Sequence, residues 1–443
     1  MIQHLRSLPP DGLQGIVPNL DAKFMKDPDS LNYGLTLPQN AAADGPPSNK
    51  ILENPQGSLF TFPYKDGKTR TVHLKRVLFR SHGVIGRGTI VIRVKCTCAG
   101  CGSHCNWAGK KLVLKLSFPG ENRVSEQIFM DRCRELAQGE HAWVLNHLPS
   151  IYWSFDILRE GTPQQIFKKQ YDKQYEMRIM RGSIQEELQS LTSLTTAREC
   201  AQVFYDVVQC HHWVWKYPQI LHRDISPGNI MVREKNGEKF GVLNDWDLGI
   251  WVNDLRDGPA SKFRTGTTPY MAHEQHSVEW KGPHRYRHDM ESMFYVILLL
   301  TCLCSSPGEK LVDLPVTNFC YEKWHQQDGF SLRGTKESLI HRGAWQPSTT
   351  PFFDGFSSWL ESLQCELSLG FSELQKHLRA TKTAQKIQQN SLPHPMTEVP
   401  SFDEDSLGGY FSYKDVVLIM HVFADDALET RSREWQEMLR QEK

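Results

Sequence analysis

The stretch Ile220-Leu-His-Arg-Asp-Ile-Ser-Pro-Gly-Asn-Ile-Met-Val232 decides how this chain is read. An apolar pair enters it and an apolar run leaves it. Between them Ser226, Pro227 and Gly228 break any regular periodicity, so the segment reads as a loop held between two buried pieces. The loop sets Asp224 and Asn229 close together on one short turn. That spacing suits a carboxylate that accepts a proton from an attacking hydroxyl, with a carboxamide beside it to hold a metal ion. A second acidic site follows at Leu243-Asn-Asp-Trp-Asp-Leu-Gly249, after a strand-like approach through Val242 and Leu243.

Working outward, the whole chain has 443 residues, room for two or three domains. It is 39% hydrophobic, compatible with a globular core, and its 51 basic and 51 acidic residues cancel. Global charge therefore offers nothing to a nucleic acid or a membrane surface, and neither partner is expected. The longest apolar run, Met293 to Leu300 with its extension to Cys304, is too short to span a bilayer and fits a buried helix. Met1 to Asn19 carries no apolar core of signal-peptide length, so an intracellular location, cytoplasmic or nuclear, is expected. The eleven cysteines then read as reduced thiols or metal ligands rather than a disulfide framework.

Upstream of the loop, residues 1–56 are rich in Pro, Gly, Asn and Asp and read as a flexible arm. Strand-like alternation begins at Ser58-Leu-Phe-Thr-Phe and continues through Thr71 to Phe79. Gly86 and Gly88 form a G-x-G turn that would let backbone amides approach phosphate oxygens, although Val91 stands where a third glycine is usual. Taken alone, the two glycines read better as a plain hairpin turn. Cys96, Cys98, Cys101 and Cys105 follow, with His104 among them. They could supply four thiolates to Zn²⁺, or they could simply form an exposed hairpin loop. Lys111 to Phe118 is a strand with Lys115 inside it. Glu121 to Gln138 has helical spacing, with Phe129, Met130 and Cys133 on one stripe and Glu126 on the same face. An acidic residue on an apolar face needs a partner, and Lys115 is available; Glu135, nearer the flank, competes with Glu126 for it. Two further strands are expected at His147–Trp153 and Tyr175–Arg181, a hinge at Gly182, and an amphipathic helix from Thr195 to Trp215.

Downstream, Arg264-Thr-Gly-Thr-Thr-Pro-Tyr-Met-Ala-His-Glu274 is followed by His288-Asp-Met-Glu-Ser-Met-Phe-Tyr-Val, which opens the most apolar helix. Taken in order, these motifs resemble those of the protein kinase superfamily. More narrowly they resemble the fungal-type protein kinase family, through L-H-R-D-I-S-P-G-N-I-M, D-W-D-L-G in place of D-F-G-L-A, and H-D-M-E-S-M-F-Y-V. The likeness runs over roughly residues 60–380. It implies an α+β, bilobal fold with a small β-rich N-lobe at 57–181 and a larger helical C-lobe at 182–380. Residues 381–443 then read as a linker and a C-terminal helical extension, with the linker at Thr381 to Asp405.

The resemblance also implies roles. Asp224 matches the catalytic base, and Asn229 and Asp245 the ligands of Mg²⁺. Lys115, oriented by Glu126, would bridge the phosphates of ATP, and Gly86 and Gly88 would cover them. Arg223 matches the arginine that receives a phosphorylated activation-loop residue, Thr265 being the expected site, and Asp289 the residue that braces the catalytic loop. Asp247 occupies a glycine position and His273 a proline position, which are departures from the pattern. The implied activity is ATP-dependent transfer to a Ser or Thr hydroxyl of a protein substrate. Two alternatives stay open: a small-molecule phosphotransferase like the aminoglycoside and choline kinases, because Ser226 replaces the usual lysine, or a non-catalytic binding module that keeps the fold.

Overall fold

Phe60, Phe62, Val72, Leu74, Ile90, Ile92, Leu112, Leu114 and Leu116 sit at alternate positions of neighbouring segments. Side chains of a strand point alternately to its two faces, so such residues can line one face of a sheet. The computed structural model describes residues 34–36, 55–81, 88–97, 105–157, 178–255, 266–277, 279–389 and 399–441, with backbone only for 34–36, 66, 157 and 387–389. It divides into two units, 1–127 with 149–187, and 128–148 with 188–443.

The first unit holds one antiparallel sheet. Its strands are β1 (Gly34–Thr36), β2 (Leu59–Pro63), β3 (Thr69–Arg80), β4 (Ile90–Cys96), β5 (Leu112–Ser117), β6 (Ile151–Ile157) and β7 (Met180–Glu186), in the order β1-β2-β3-β4-β5-β7-β6. The alternating residues named above form a single core with Trp107, Phe155 and Ile184. In β5, Leu112, Leu114 and Leu116 face that core, so Lys115 must face the other way. There it lies opposite Val91 of β4 and Ser183 of β7.

Helix α1 (Glu126–Leu136) begins at the end of the first unit and continues into the second. The second unit then builds strand β8 (Gln189–Ser190) and helix α2 (Ala197–Lys216), which a capping box between Thr196 and Glu199 starts. Next come β9 (Ile220–Leu221), β10 (Ile230–Lys235), β11 (Glu238–Leu243) and β12 (Ile250–Trp251). β10 and β11 form a hairpin through Asn236-Gly237, both with positive φ, the backbone that a tight two-residue turn requires. β11 lies so close on α2 that a Cβ on Gly241 would stand 2.3 Å from the Val203 carbonyl oxygen. Helix α3 (Tyr286–Leu303) is buried along nearly its whole length. After it come α4 (Phe319–Glu322), α5 (Gly329–Ile340), α6 (Ser357–Gln389), α7 (Tyr413–Met420) and α8 (Arg433–Gln441). Among the described residues no helix is long and apolar enough to cross a membrane.

The C-terminal residues are fastened to α2. The Tyr413 ring stacks on His212 with centroids 3.7 Å apart. Thr430 Oγ1 lies 2.8 Å from the Tyr205 hydroxyl. Arg431 Nε donates to Asp206 Oδ1 at 2.9 Å, and the Arg431 backbone N–H donates to Gln209 Oε1 at 2.6 Å. Asp206 is fully buried, and its Oδ2 accepts from the Gly241 backbone N–H at 3.1 Å.

Three local expectations need correction. Gly182 is no hinge, and the sheet does not stop at 181: Gly182 lies inside β7, paired with Leu116 and Phe155, where a Cβ would clash with the Phe155 ring at 2.2 Å. The strand expected from His147 starts only at Ile151, after a 3₁₀ turn over Gly139–Asn146. Thr381 does not open a linker, because α6 runs on to Gln389. Ala384, Gln385, Lys386 and Gln388 are good helix formers, and the next proline is Pro393. Residues 1–33 and 37–54 of the expected arm lie outside the described residues.

Candidate active site

Each unit carries one part of the expected site. In the first, Lys115 Nζ donates to Glu126 Oε2 at 3.0 Å, with both side chains buried. Gln185 Nε2 donates to the same oxygen at 3.2 Å and to Ser183 Oγ at 2.8 Å. The strand supplies the lysine, the neighbouring strand the amide and the first turn of α1 the carboxylate. A buried charge is tolerable only when paired and hydrogen-bonded in this way. The rival Glu135 pairs instead with Arg132 on an exposed face, at 3.0 Å. Gly88, just before β4, has a φ of 53°, and Gly86 lies outside the described residues.

In the second unit the loop between β9 and β10 carries Asp224 and Asn229, both buried. Asn229 Nδ2 donates to the Asp224 carbonyl oxygen at 2.7 Å. The amide nitrogen is thereby committed, which presents Oδ1 as the atom of Asn229 suited to a hard cation. The Asn244 N–H donates to the Asn229 carbonyl at 2.8 Å, so the Asp245 loop is stitched to the Asn229 turn. Asp245 adopts a left-handed backbone with φ 61°, and its Oδ1 accepts from the Asp247 N–H at 3.4 Å. Asn229 Oδ1 and the Asp245 carboxylate are oxygen donors of the kind a hard cation such as Mg²⁺ takes. Trp246, in the position of the expected phenylalanine, is fully buried, with its ring edge-on to His222.

The loop is braced from beneath by Asp289 of α3. Its oxygens accept from the backbone N–H groups of His222 at 3.0 Å and Arg223 at 3.1 Å. They also meet His211 Nε2 and His284 Nε2, each at 2.8 Å. Burial alone would raise the Asp289 carboxyl, but the two histidines outweigh it and hold the group well below the ordinary carboxylate range. Arg223 is left-handed with φ 71°, a strained backbone that this double grip on consecutive N–H groups holds in place. His222 is pushed down by burial; its Nδ1 accepts from the Asp224 N–H and its Nε2 donates to the Asn244 carbonyl.

The segment after Gly266 reaches the same loop. Thr267 donates to Asp224 Oδ1 twice, from its backbone N–H at 2.9 Å and from its hydroxyl at 2.8 Å. His273, in the proline position, is buried against Glu291, its N–H at 2.7 Å and its Nδ1 at 3.0 Å from Oε1. Burial pulls this imidazole down, yet Glu291 more than compensates and raises it. Glu274 takes Arg287 Nη2 at 2.7 Å and His288 Nε2 at 3.1 Å. Burial acts to raise Glu274, and these partners overcome it, holding the carboxyl at about 2. Thr265 lies outside the described residues, as do Cys98, Cys101 and His104.

Sequence reasoning missed His211, His284 and the Glu274 partners. His211 differs from its neighbour His212 only by its place on the α2 face, and His284 sits in a non-periodic turn after Gly282-Pro283.

A lysine–glutamate pair in the first unit, and in the second a loop with Asp224 and Asn229 followed by the Asp245 loop, stand in the chain order that the resemblance implied. Residues 137–302 match the family model described as fungal protein kinase. A curated relative, the probable serine/threonine-protein kinase PknB of Bifidobacterium longum, is 27% identical over 156 residues. That match covers 34% of this chain and 21% of the relative's length. Among solved structures, vaccinia related kinase 3 is similar with a TM-score of 0.41 and 16% identity, covering 69% of this chain and 84% of that one. The PK-1 kinase of Cydia pomonella granulovirus has a TM-score of 0.39 and 12% identity, covering 67% and 87%.

Proposed function

We propose that this protein is an ATP-dependent kinase that transfers the γ-phosphate to a Ser or Thr hydroxyl of a protein substrate, with the two units as the lobes of a bilobal enzyme. The observation that carries the reading is the double bond from Thr267 to Asp224 Oδ1. It ties the segment Gly266 to Glu274, a platform suited to an extended peptide, directly to the residue that would receive the substrate proton. A small-molecule phosphotransferase has no use for such a platform. The relative's name points to Ser/Thr specificity in the same direction.

In this reading Asp224 orients the attacking hydroxyl and takes its proton late. Asn229 and Asp245 would hold Mg²⁺, which when bound neutralises charge on the phosphate oxygens. Lys115, fixed by Glu126, would steady the α- and β-phosphates. Asp289 keeps the loop carrying Asp224 in its strained shape.

The test is phosphopeptide mass spectrometry after incubation of the full chain with Mg-ATP and a degenerate Ser/Thr/Tyr peptide library. Phosphate on Ser and Thr peptides, lost in Asp224→Asn, is the expected result. Phosphate on no peptide, with the nucleotide consumed only when aminoglycosides or choline are supplied, would replace the reading with small-molecule transfer. Nucleotide binding without transfer to any acceptor would make the chain a binding module.

A further inference from the structure

Lys336 of α5 has no part in the proposed phosphoryl transfer, yet its side chain is fully buried. Its amine meets no carboxylate among the hydrogen bonds of the described residues. Instead Nζ donates to the Met271 backbone carbonyl and lies 3.4 Å from His276 Nε2. Two aromatic rings complete the pocket, with centroids 4.2 Å (Tyr295) and 5.1 Å (Trp324) from Nζ. Placing an amine in a protein interior is costly, and an apolar side chain of similar shape there is commonly neutral or stabilising. Burial pushes this amine well below the ordinary lysine range, with the Glu291 charge acting the other way. The ring faces offset part of the cost. What an apolar residue could not do is donate to a carbonyl, and the amine donates in either protonation state.

Met271 belongs to the platform, Gly266 to Glu274, and its neighbours are held from beneath in the same manner. The Ala272 N–H donates to Gln275 Oε1 at 3.2 Å, and the His273 N–H to Glu291 Oε1 at 2.7 Å. Tyr295, whose ring faces the lysine, donates its hydroxyl to the same Glu291 oxygen at 2.6 Å. Three successive residues therefore each have a backbone group held by a side chain instead of a helix or sheet ladder, so the reach of those side chains sets the path of the chain. The Met271 side chain in turn lies against Gly266, where a Cβ would stand 3.0 Å from Met271 Cγ. Displacing Met271 disturbs the residue that precedes Thr267.

We propose that Lys336 is a positioning residue for the acceptor peptide: it holds the Met271 carbonyl, and through it the surface on which the peptide lies. The inference rests on the reading of this chain as a protein kinase. It adds to that reading a buried side chain that acts through the platform backbone. Every residue it uses lies in the second unit.

The test is Lys336→Met in the full chain, which keeps an unbranched stem and removes the donor. With an acceptor peptide, kcat/KM should fall about tenfold, the worth of one such hydrogen bond, and the loss should lie in KM for the peptide. KM for Mg-ATP should stay near wild type, because Asp289 braces the catalytic loop. The melting temperature should stay within about 5 °C of wild type or rise, since a buried amine has been replaced by an apolar group. Hydrogen exchange read by mass spectrometry should quicken across residues 271–274 and stay unchanged in α3. A larger drop in melting temperature, or a variant that does not fold, would make Lys336 a structural residue and overturn the proposal. Unchanged peptide kinetics in a variant of an active wild type would overturn it while leaving the kinase reading in place. A wild type that transfers to no peptide would remove that reading and the positioning role together. Unchanged exchange across 271–274 would overturn the anchoring of the platform whatever the activity.

Discussion

Asp224 and Asp289 are two buried aspartates of one unit, separated by little more than the Arg223 backbone, and they are held in opposite ways. Thr267 ties Asp224 through Oδ1, from its backbone and its hydroxyl. Asp289 is gripped through both oxygens by His211, His284 and the backbone of His222 and Arg223, which arrive from α2, the turn before α3 and the catalytic loop. The carboxylate expected to do chemistry is met by the segment that follows Gly266. The carboxylate that shapes the loop is anchored from several directions, so no single partner decides its position.

The sharpest way to break that contrast is to neutralise each aspartate in turn. Asp224→Asn should lower the phosphoryl-transfer rate by about 10³-fold, within the span expected for losing a general base, and leave the melting temperature and nucleotide affinity near wild type. Paired peptide-kinase and calorimetric titrations would show it; an unchanged rate would assign the measured activity to a contaminant. Asp289→Asn should do the reverse in order of cause, costing about 3 kcal/mol of stability because one acceptor oxygen becomes an NH₂ that faces buried donors, with activity falling as a result. Denaturant unfolding measures that cost, and a stable but inactive Asp289→Asn would mean that Asp289 acts on the reaction directly.

Smaller effects sharpen the comparison. Thr267→Val should reduce kcat/KM for peptide by about tenfold, the worth of one hydrogen bond to a charged group, and Thr267→Ser should recover most of it. Stability should also fall as acid is added. Burial holds His288 at about 4, against an ordinary value of 6.5, with its Nδ1 accepting from the Arg285 N–H. Unfolded chain therefore binds protons that folded chain refuses, so this contribution is complete above pH 6.5 and is lost as pH drops toward about 4. Glu274 adds its own loss only below its ordinary 4.5, toward about 2. His273, raised by Glu291, works in the other sense, contributing below 6.5 and fading as pH rises through its elevated value. A melting temperature lower by about 3 °C at pH 5 than at pH 7, with a shallower slope in His288→Gln, is expected. A flat profile between those pH values would remove His288 from the account.

The local parts of this molecule were open to reading from sequence, because local rules govern them. Alternation placed β5 and turned Lys115 away from Leu114 and Leu116. Helical spacing set Glu126 on the buried face of α1, and the Pro-Gly break marked the Asp224 loop. What escaped was set by contact at a distance. Gly182 carries the sequence signature of a hinge, yet its missing side chain makes room for the Phe155 ring on the adjacent strand. His284 has no periodicity, and only the folded chain shows it between Gln275 and Asp289. Thr381 and its neighbours looked like a linker because they are polar, but polar residues with good helix propensity extend α6 at no cost in solvent.

The salt bridge between Arg431 and Asp206 spans 225 residues of sequence. During synthesis on the ribosome, α2 emerges with a carboxylate destined for the interior and no arginine yet made to meet it. The hairpin β10–β11 can form against α2 in that interval, but the Asp206 charge beneath Gly241 has no guanidinium beside it until Arg431 is made. Nascent chains of this protein therefore pass through a long period in which the second unit lacks this ion pair. Synthesis of Arg431 is what ends that period.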